Sequence, residues 1–372
     1  MSKSNKKRKK KIAVLPLILA VLSGALAGFM YTAAYVFDIP PGYRFIVILA
    51  SVLISIPIVT VIHEAGHLVF GLLTGYKFSS FRIMSFMWVK EKDKIKFKRH
   101  KVVGTGGQCL MAPPPLIDGK MPIVLYNLGG TVFNAITAIV CFAIFFIYPN
   151  PIIVAPAVLS LFFALQNGVP IHTEMIDNDG YNALSLGKNS EAMRAFWTQL
   201  SVVDMQTKEI RLRDMPSEWF YMPSDEALKN SLVATNGVFY CNRLMDEGRF
   251  EEADEAVSHL LSVESGVVGL HRNLLLCDRV FCELIGECRL NVVDKYMRTE
   301  LKKFMYSMKT FPSVIRTEYT YALLYERNAD KANRALDSFE KIGAKYPYKS
   351  DLDSERELMD IALKKYQETL RT

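Results

Sequence analysis

Residues 45–73 read FIVILASVLISIPIVTVIHEAGHLVFGLL, an apolar stretch long enough to cross a bilayer as a single helix. Near its end stands His63-Glu64-Ala65-Gly66-His67. On a helix the two histidines lie one turn apart and project from the same face. Ionisable side chains are costly in a hydrocarbon environment and are usually functional there. This stretch therefore predicts a membrane helix that carries a functional site.

The spacing of the three ionisable residues suits a metal site. Two imidazoles one turn apart can share one Zn²⁺, and a glutamate between them can act on a water molecule. A lone histidine on an apolar helix is more often a satisfied core residue, but three ionisable groups in this order have no evident packing role. We interpret His63 and His67 as zinc ligands and Glu64 as the catalytic base.

Hydrophobic segments predict four membrane spans, at residues 12–37, 45–73, 123–148 and 152–169. A basic tail, residues 1–11, precedes the first span, and residues 76–101 carry nine basic side chains against two acidic ones. Basic flanks stay in the cytoplasm, so both termini are expected to be cytoplasmic. The basic excess is confined to these flanks and indicates contact with anionic lipids; no nucleic acid is expected as a partner.

The loop between the second and third spans, residues 76–120, contains a β-hairpin signal. Residues 81–89 are rich in strand formers, a polar turn follows, and residues 95–98 alternate between apolar and basic. The apolar face of this hairpin can lie against the membrane or against the helical bundle. Its edge can also pair with an extended peptide.

A catalytic zinc site needs a third protein ligand, and a polar stretch after the fourth span can supply one. In its motifs the chain resembles the site-2 proteases, which are intramembrane zinc metalloproteases. The resemblance rests on three elements in order: His63–His67 within a span, Gly129-Gly130 with Asn134, and Asn167-x-x-Pro170 followed by Asn178-Asp179-Gly180.

The resemblance implies specific roles in a membrane metalloprotease domain, residues 12–200. Asp179 is the third zinc ligand, and Asn134 and Asn167 orient the substrate or stabilise the oxyanion. The implied substrates are membrane proteins or membrane-associated peptides, in the cell membrane of a bacterium. The chain departs from the family pattern in two ways. The interval from Asn167 to Asp179 is longer, and Tyr181 occupies a position where a second glycine is common. Asp177 therefore stays open as an alternative ligand.

Residues 228–372 read as a cytoplasmic helical region. Residues 236–256 resemble one tetratricopeptide helix–turn–helix unit, and residues 319–347 are similar in outline. Such arrays bind protein partners, although a generic helical bundle gives the same pattern. The predicted fold class is mainly α: a polytopic membrane helical bundle with a small β-hairpin and a helical-repeat domain. The alternative to a zinc protease is a non-proteolytic membrane scaffold that recruits partners through this domain.

Overall fold

The computed structural model describes residues 39–91, 94–100, 105–149, 151–171 and 177–371, together with Gly24 and Gly28. The described part is mostly helical, with one small antiparallel sheet. The prediction of a mainly α protein is therefore confirmed. The predicted basic tail and nearly all of the first predicted span lie outside the described residues.

The chain divides into two compact units. The first comprises residues 1–70, 124–171 and 178–181. Its described helices are α1 (Pro41–Leu73), α2 (Val124–Ile147), α3 (Pro151–Gly168) and the start of α4 (Asp179–Ser185). Helices α2 and α3 pack against each other as a hairpin, and only three residues of the chain, 148–150, separate them.

Two helices in the described residues, α1 and α2, are long and apolar enough to cross a membrane. Large apolar side chains stay exposed along them, among them Phe45, Ile54, Ile139 and Phe146. Exposure of this kind is costly in water and fits a lipid environment. Helix α3 coincides with the predicted fourth span but is shorter than α1 and α2, so its crossing of the membrane stays a prediction.

The second unit comprises residues 71–123, 172–177 and 182–372. It begins with a four-stranded sheet in the described chain, in the order β3-β2-β1-β4. The strands are β1 (Lys77–Ile83), β2 (Phe86–Glu91), β3 (Lys94–Arg99) and β4 (Gly107–Ala112). Helix α5 (Ser190–Thr207) packs against this sheet, and Ser79 of β1 donates a 2.7 Å hydrogen bond to Asp204.

The predicted hairpin is present as β2 and β3, but it belongs to this larger sheet. The predicted first strand, residues 81–89, is in fact two strands separated by a turn at Met84 and Ser85. Met84 has a φ of 53°, in the left-handed region that strands do not use. Gly107 starts the edge strand β4.

The remainder of the second unit is helical. Its helices are α6 (Ser231–Asp246), α7 (Phe250–Ser262), α8 (Gly269–Ile285), α9 (Leu290–Tyr296), α10 (Thr299–Ser307), α11 (Pro312–Thr320), α12 (Ala329–Gly343) and α13 (Lys349–Arg371). Phe281, Phe339 and Leu284 are fully buried in its principal core. The first predicted repeat unit corresponds to α6 and α7, which are joined at Gly248, where φ is 75°.

Candidate metal centre

Helix α1 brings His63 and His67 together as their spacing predicts. The two side chains project from one face, and their Nε2 atoms lie 3.2 Å apart. His63, Glu64 and His67 are 8%, 7% and 9% exposed, so all three are buried. Buried polar groups need partners, and those of the two imidazoles come from two other segments of the first unit.

One partner is Asp179, the first residue of α4. Its Oδ2 atom lies 3.2 Å from Nε2 of His63 and 3.4 Å from Nε2 of His67. The three donor atoms thus form a nearly equilateral triangle. Burial raises the pKa of a carboxyl group, but the imidazoles of His67 and His63 outweigh it and hold the pKa of Asp179 well below its ordinary value. The carboxylate form is therefore favoured.

The triangle has the dimensions of a zinc site. Zinc binds nitrogen and oxygen at about 2.0–2.2 Å in a tetrahedral arrangement, which places neighbouring ligand atoms about 3.3 Å apart. The donor separations of 3.2, 3.2 and 3.4 Å match this requirement. Two imidazoles and one carboxylate also leave one tetrahedral position open, as in catalytic zinc sites.

Asp177, the alternative third ligand, has a different environment. Its Oδ2 atom accepts a 2.7 Å hydrogen bond from the Ser231 hydroxyl in the second unit. Among the described residues, the group of side chains that can hold a metal contains Asp179 and does not contain Asp177.

The close packing of α1 on α2 depends on glycines. A Cβ atom on Gly66 would lie 2.2 Å from the carbonyl oxygen of Gly129, closer than van der Waals contact allows. A Cβ atom on Gly130 would lie 2.5–2.7 Å from ring atoms of His63. Small residues let membrane helices approach closely, and here the approach sets α2 against the histidine pair.

Helix α2 also contacts the outer nitrogens of both imidazoles. Nδ1 of His67 lies 2.8 Å from the carbonyl oxygen of Tyr126, so this nitrogen carries a proton, and Nε2 is the nitrogen that can bind a metal when the ring is neutral. Nδ1 of His63 lies 3.1 Å from the side-chain amide of Asn134. Asn134 is fully buried, and its Oδ1 atom has no hydrogen-bond partner among the described residues.

The two orientations of an asparagine amide are nearly isosteric, so the hydrogen-bond network must decide between them. Turning the amide of Asn134 places Oδ1 where it accepts the Nδ1–H of His63. In this orientation Oδ1 accepts from the His63 ring and Nε2 of His63 is left available as a ligand, while Nδ2 takes the position at which Oδ1 had no partner. The geometry therefore favours contact of Asn134 with a histidine ring.

Asn167 is near the end of α3. Its side-chain amide donates a 3.0 Å hydrogen bond to the carbonyl oxygen of Phe163, one turn earlier on the same helix. This hydrogen bond lies within α3 and does not involve His63, His67 or Asp179. The predicted role of Asn167 in substrate binding stays a prediction.

Asn178 belongs to the third motif, and the sequence predicted no role for it. Its Oδ1 accepts hydrogen bonds of 3.0 Å from the backbone N–H groups of Ile171 and Tyr181. Its Nδ2 donates to the carbonyl oxygens of Gln166 and Val169. Asn178 thus fixes the chain before Asp179 to the end of α3. The available signal was its position before a helix start, where asparagine is a preferred N-cap.

The match to known families agrees with this geometry. A model of peptidase family M50 matches residues 51–335, well over half of the chain. The chain belongs to peptidase family M50. No curated protein and no solved structure matches the chain.

Membership of family M50, the site-2 protease family, confirms the resemblance stated from the motifs. It indicates a metallopeptidase, and the apolar helices α1 and α2 fit the membrane setting of the family. The comparisons do not support the prediction of a tetratricopeptide-like region at residues 228–372.

The glycine contact generates a prediction for this M50 peptidase. We expect Gly66→Ala to push α1 away from α2 and to destabilise the chain by about 1–3 kcal/mol, as overpacking does. The control is Gly42→Ala on the same helix, because nothing lies within 4 Å of its Cβ position. Thermal unfolding of the detergent-solubilised chain compares the two. Equal midpoints for both variants would contradict the packing argument.

Proposed function

We propose that this M50 peptidase is a zinc-dependent endopeptidase that cleaves membrane-embedded or membrane-associated substrates. His63, His67 and Asp179 would hold the zinc ion. The observation that carries the proposal is the triangle of donor atoms, whose separations suit a tetrahedral ion. When bound, zinc supplies a Lewis acid that polarises the scissile carbonyl and acidifies a water molecule.

The chain itself supplies the proton transfer. The Glu64 carboxylate follows His63 directly on α1 and is buried. We assign it as the general base that takes a proton from the attacking water and then gives it to the leaving amine. A buried carboxylate suits this task, because a dry site strengthens its interaction with the proton.

We also propose a changed role for Asn134. The sequence predicted substrate orientation or oxyanion stabilisation, but its amide lies against His63. A histidine ligand usually donates its outer N–H to an acceptor that fixes its orientation and tautomer. Asn134 would do this for His63, as the Tyr126 carbonyl does for His67. Asn134 is then a positioning residue for the metal centre.

The number of membrane spans and the side on which the termini lie are also proposed. Four spans, with both termini in the cytoplasm, follow from the basic flanks and from the length of the apolar segments. Substrate helices would have to unwind locally, because a helix engages its own carbonyl groups in hydrogen bonds. The helical region 228–372 would remain available for a protein partner.

A non-proteolytic scaffold is the second candidate function. A scaffold needs neither a general base nor a converging ligand set, whereas this chain retains both Glu64 and the donor triangle. Membership of a peptidase family also favours the protease. We therefore retain the protease as the proposed function.

Glu64→Gln tests the chemical step. We expect the variant to keep its metal, because the ligands are intact, and to lose about 100-fold to 10,000-fold in turnover, because glutamine accepts no proton. The measurement is cleavage of a membrane-peptide library in liposomes, read by mass spectrometry, together with metal content. Wild-type turnover in this variant would remove Glu64 from the mechanism.

A pair of carboxylate variants tests the third ligand. Asp179→Asn should reduce the bound zinc strongly, whereas Asp177→Asn should retain it, because Asp177 is hydrogen-bonded to Ser231 instead. Each substitution removes one charge, two residues apart in the chain. Zinc content by inductively coupled plasma mass spectrometry decides between them. Loss of zinc in Asp177→Asn alone would reverse the assignment.

Two substitutions of Asn134 test its positioning role. Asn134→Ala removes the acceptor for the His63 ring and should weaken zinc binding about 10-fold to 100-fold. Asn134→Asp keeps an acceptor oxygen at the same place and should retain most of the affinity. Zinc affinity is measured by competition with a chromophoric chelator. Equal affinities in Asn134→Ala and wild type would show that the contact does not hold the ligand.

A further inference from the structure

The helical part of the second unit contains a cavity that the proposed proteolysis does not use. It has a volume of about 210 Å³ and lies between α5, α6, α8, α11 and α13. Among the described residues, its walls carry four carboxylates, Asp246, Asp278, Asp351 and Glu355, against one guanidinium, Arg316. We refer to it as the acidic cavity.

Arg316 cannot neutralise the acidic cavity. Its guanidinium is 1% exposed, and it pairs with Asp278 and, at 2.9 Å, with Glu355. It also lies over the ring of Phe281, at 4.6 Å from the ring centre. Two of the four carboxylates thus share this one cation, and in the described chain Arg316 makes no ion pair with Asp246 or Asp351.

The other two carboxylates differ in their partners. Asp246 is paired with Arg211, whose Nη2 atom lies 2.6 Å away, and it accepts a hydrogen bond from Ser354. Asp351 accepts a 2.7 Å hydrogen bond from the neutral amide of Gln206, and no cation pairs with it among the described residues. Burial raises the pKa of Asp351 to about 7, and Gln206 offsets this only in part.

A neighbouring hydroxyl independently indicates a ligand. Ser350 is 2% exposed and lines the acidic cavity, yet its Oγ atom has no hydrogen-bond partner in the described part of the chain. A buried polar atom without a partner is uncommon in folded proteins and calls for an explanation such as a missing ligand or ion. A hydroxyl beside a carboxylate is a natural acceptor pair for N–H groups.

We propose that the acidic cavity binds one cationic nitrogen group, an ammonium or a guanidinium, which donates hydrogen bonds to Asp351 and Ser350. The volume limits the size of this ligand, because pockets for drug-sized molecules measure about 300–1,000 Å³. One basic side chain of a peptide fits this limit, and so does a linear polyamine. Both sources present the same chemistry. The site would make the helical unit a receptor for a basic group.

The test uses the full-length chain in detergent and titration calorimetry. The probes are three peptides, Ac-Gly-Gly-X-Gly-Gly-amide with lysine, arginine or Nε-acetyl-lysine at X, and spermidine. We expect at least one of the three cationic probes to bind and the acetyl-lysine peptide not to bind. Binding of the peptides and not of spermidine identifies a side chain as the ligand, and the opposite result identifies a polyamine.

Three variants connect binding to the acidic cavity. Asp351→Asn should weaken binding about 10-fold to 100-fold, as expected for the loss of a charged hydrogen-bond partner. Asp353→Asn, an exposed change on the same helix, is the matched control and should not weaken it. Ser350→Ala should weaken binding without lowering the thermal unfolding midpoint, because it removes a hydroxyl that the fold leaves unpaired.

The proposal is overturned by any of three results. The first is that none of the cationic probes binds at millimolar concentration. The second is that the acetyl-lysine peptide binds as well as the lysine peptide. The third is that Asp351→Asn and Asp353→Asn have the same affinity. Ser350→Ala and Asp353→Asn are expected to fold normally. Comparing the unfolding midpoint of Asp351→Asn with the midpoints of these two variants therefore separates loss of binding from loss of structure.

Discussion

The burial of ionisable side chains among apolar helices is the constraint on which the first unit depends. An isolated charge in such surroundings is very unfavourable, so the groups must meet partners or bind a metal. His63, His67 and Asp179 meet each other, with donor atoms 3.2–3.4 Å apart. Each nearby feature contributes to this meeting: glycines bring α2 to the histidines, and Asn178 fixes the chain that carries Asp179.

The close approach of the helices has an energetic cost. A glycine inside a helix is less favourable than alanine by about 0.5–1 kcal/mol, because the unfolded chain has more freedom to lose. Gly66, Gly129 and Gly130 all lie inside α1 or α2, where a Cβ atom would collide with backbone or with the His63 ring. The chain therefore gives up helix propensity at these positions in return for contact between α2 and the ligand rings.

The same geometry explains which features could be predicted. His63 and His67 are four residues apart on one helix, so local spacing was enough to place them together. Asp179 is far from them in the chain, and the resemblance to a family was needed to select it from the polar stretch after the fourth span. The contact between Asn134 and His63 depends on how α2 packs against α1, which no pattern in the sequence records. The hairpin was predicted, but the break at Met84 was not, because a positive φ at methionine has no compositional signal.

Two clusters of buried polar groups in the described chain thus indicate a bound ligand, and the two clusters call for different ligands. In the first, two imidazole nitrogens and a carboxylate oxygen converge within 3.2–3.4 Å, which suits one cation with several ligands. In the second, Arg316 already satisfies two carboxylates through several N–H groups, so the deficit falls on Asp351 and Ser350. We assign a single donor group there, because Asp351 and Ser350 line the same cavity. The kind of atom that is left without a partner, and not the number of charged groups, therefore distinguishes a metal centre from a receptor for a basic group.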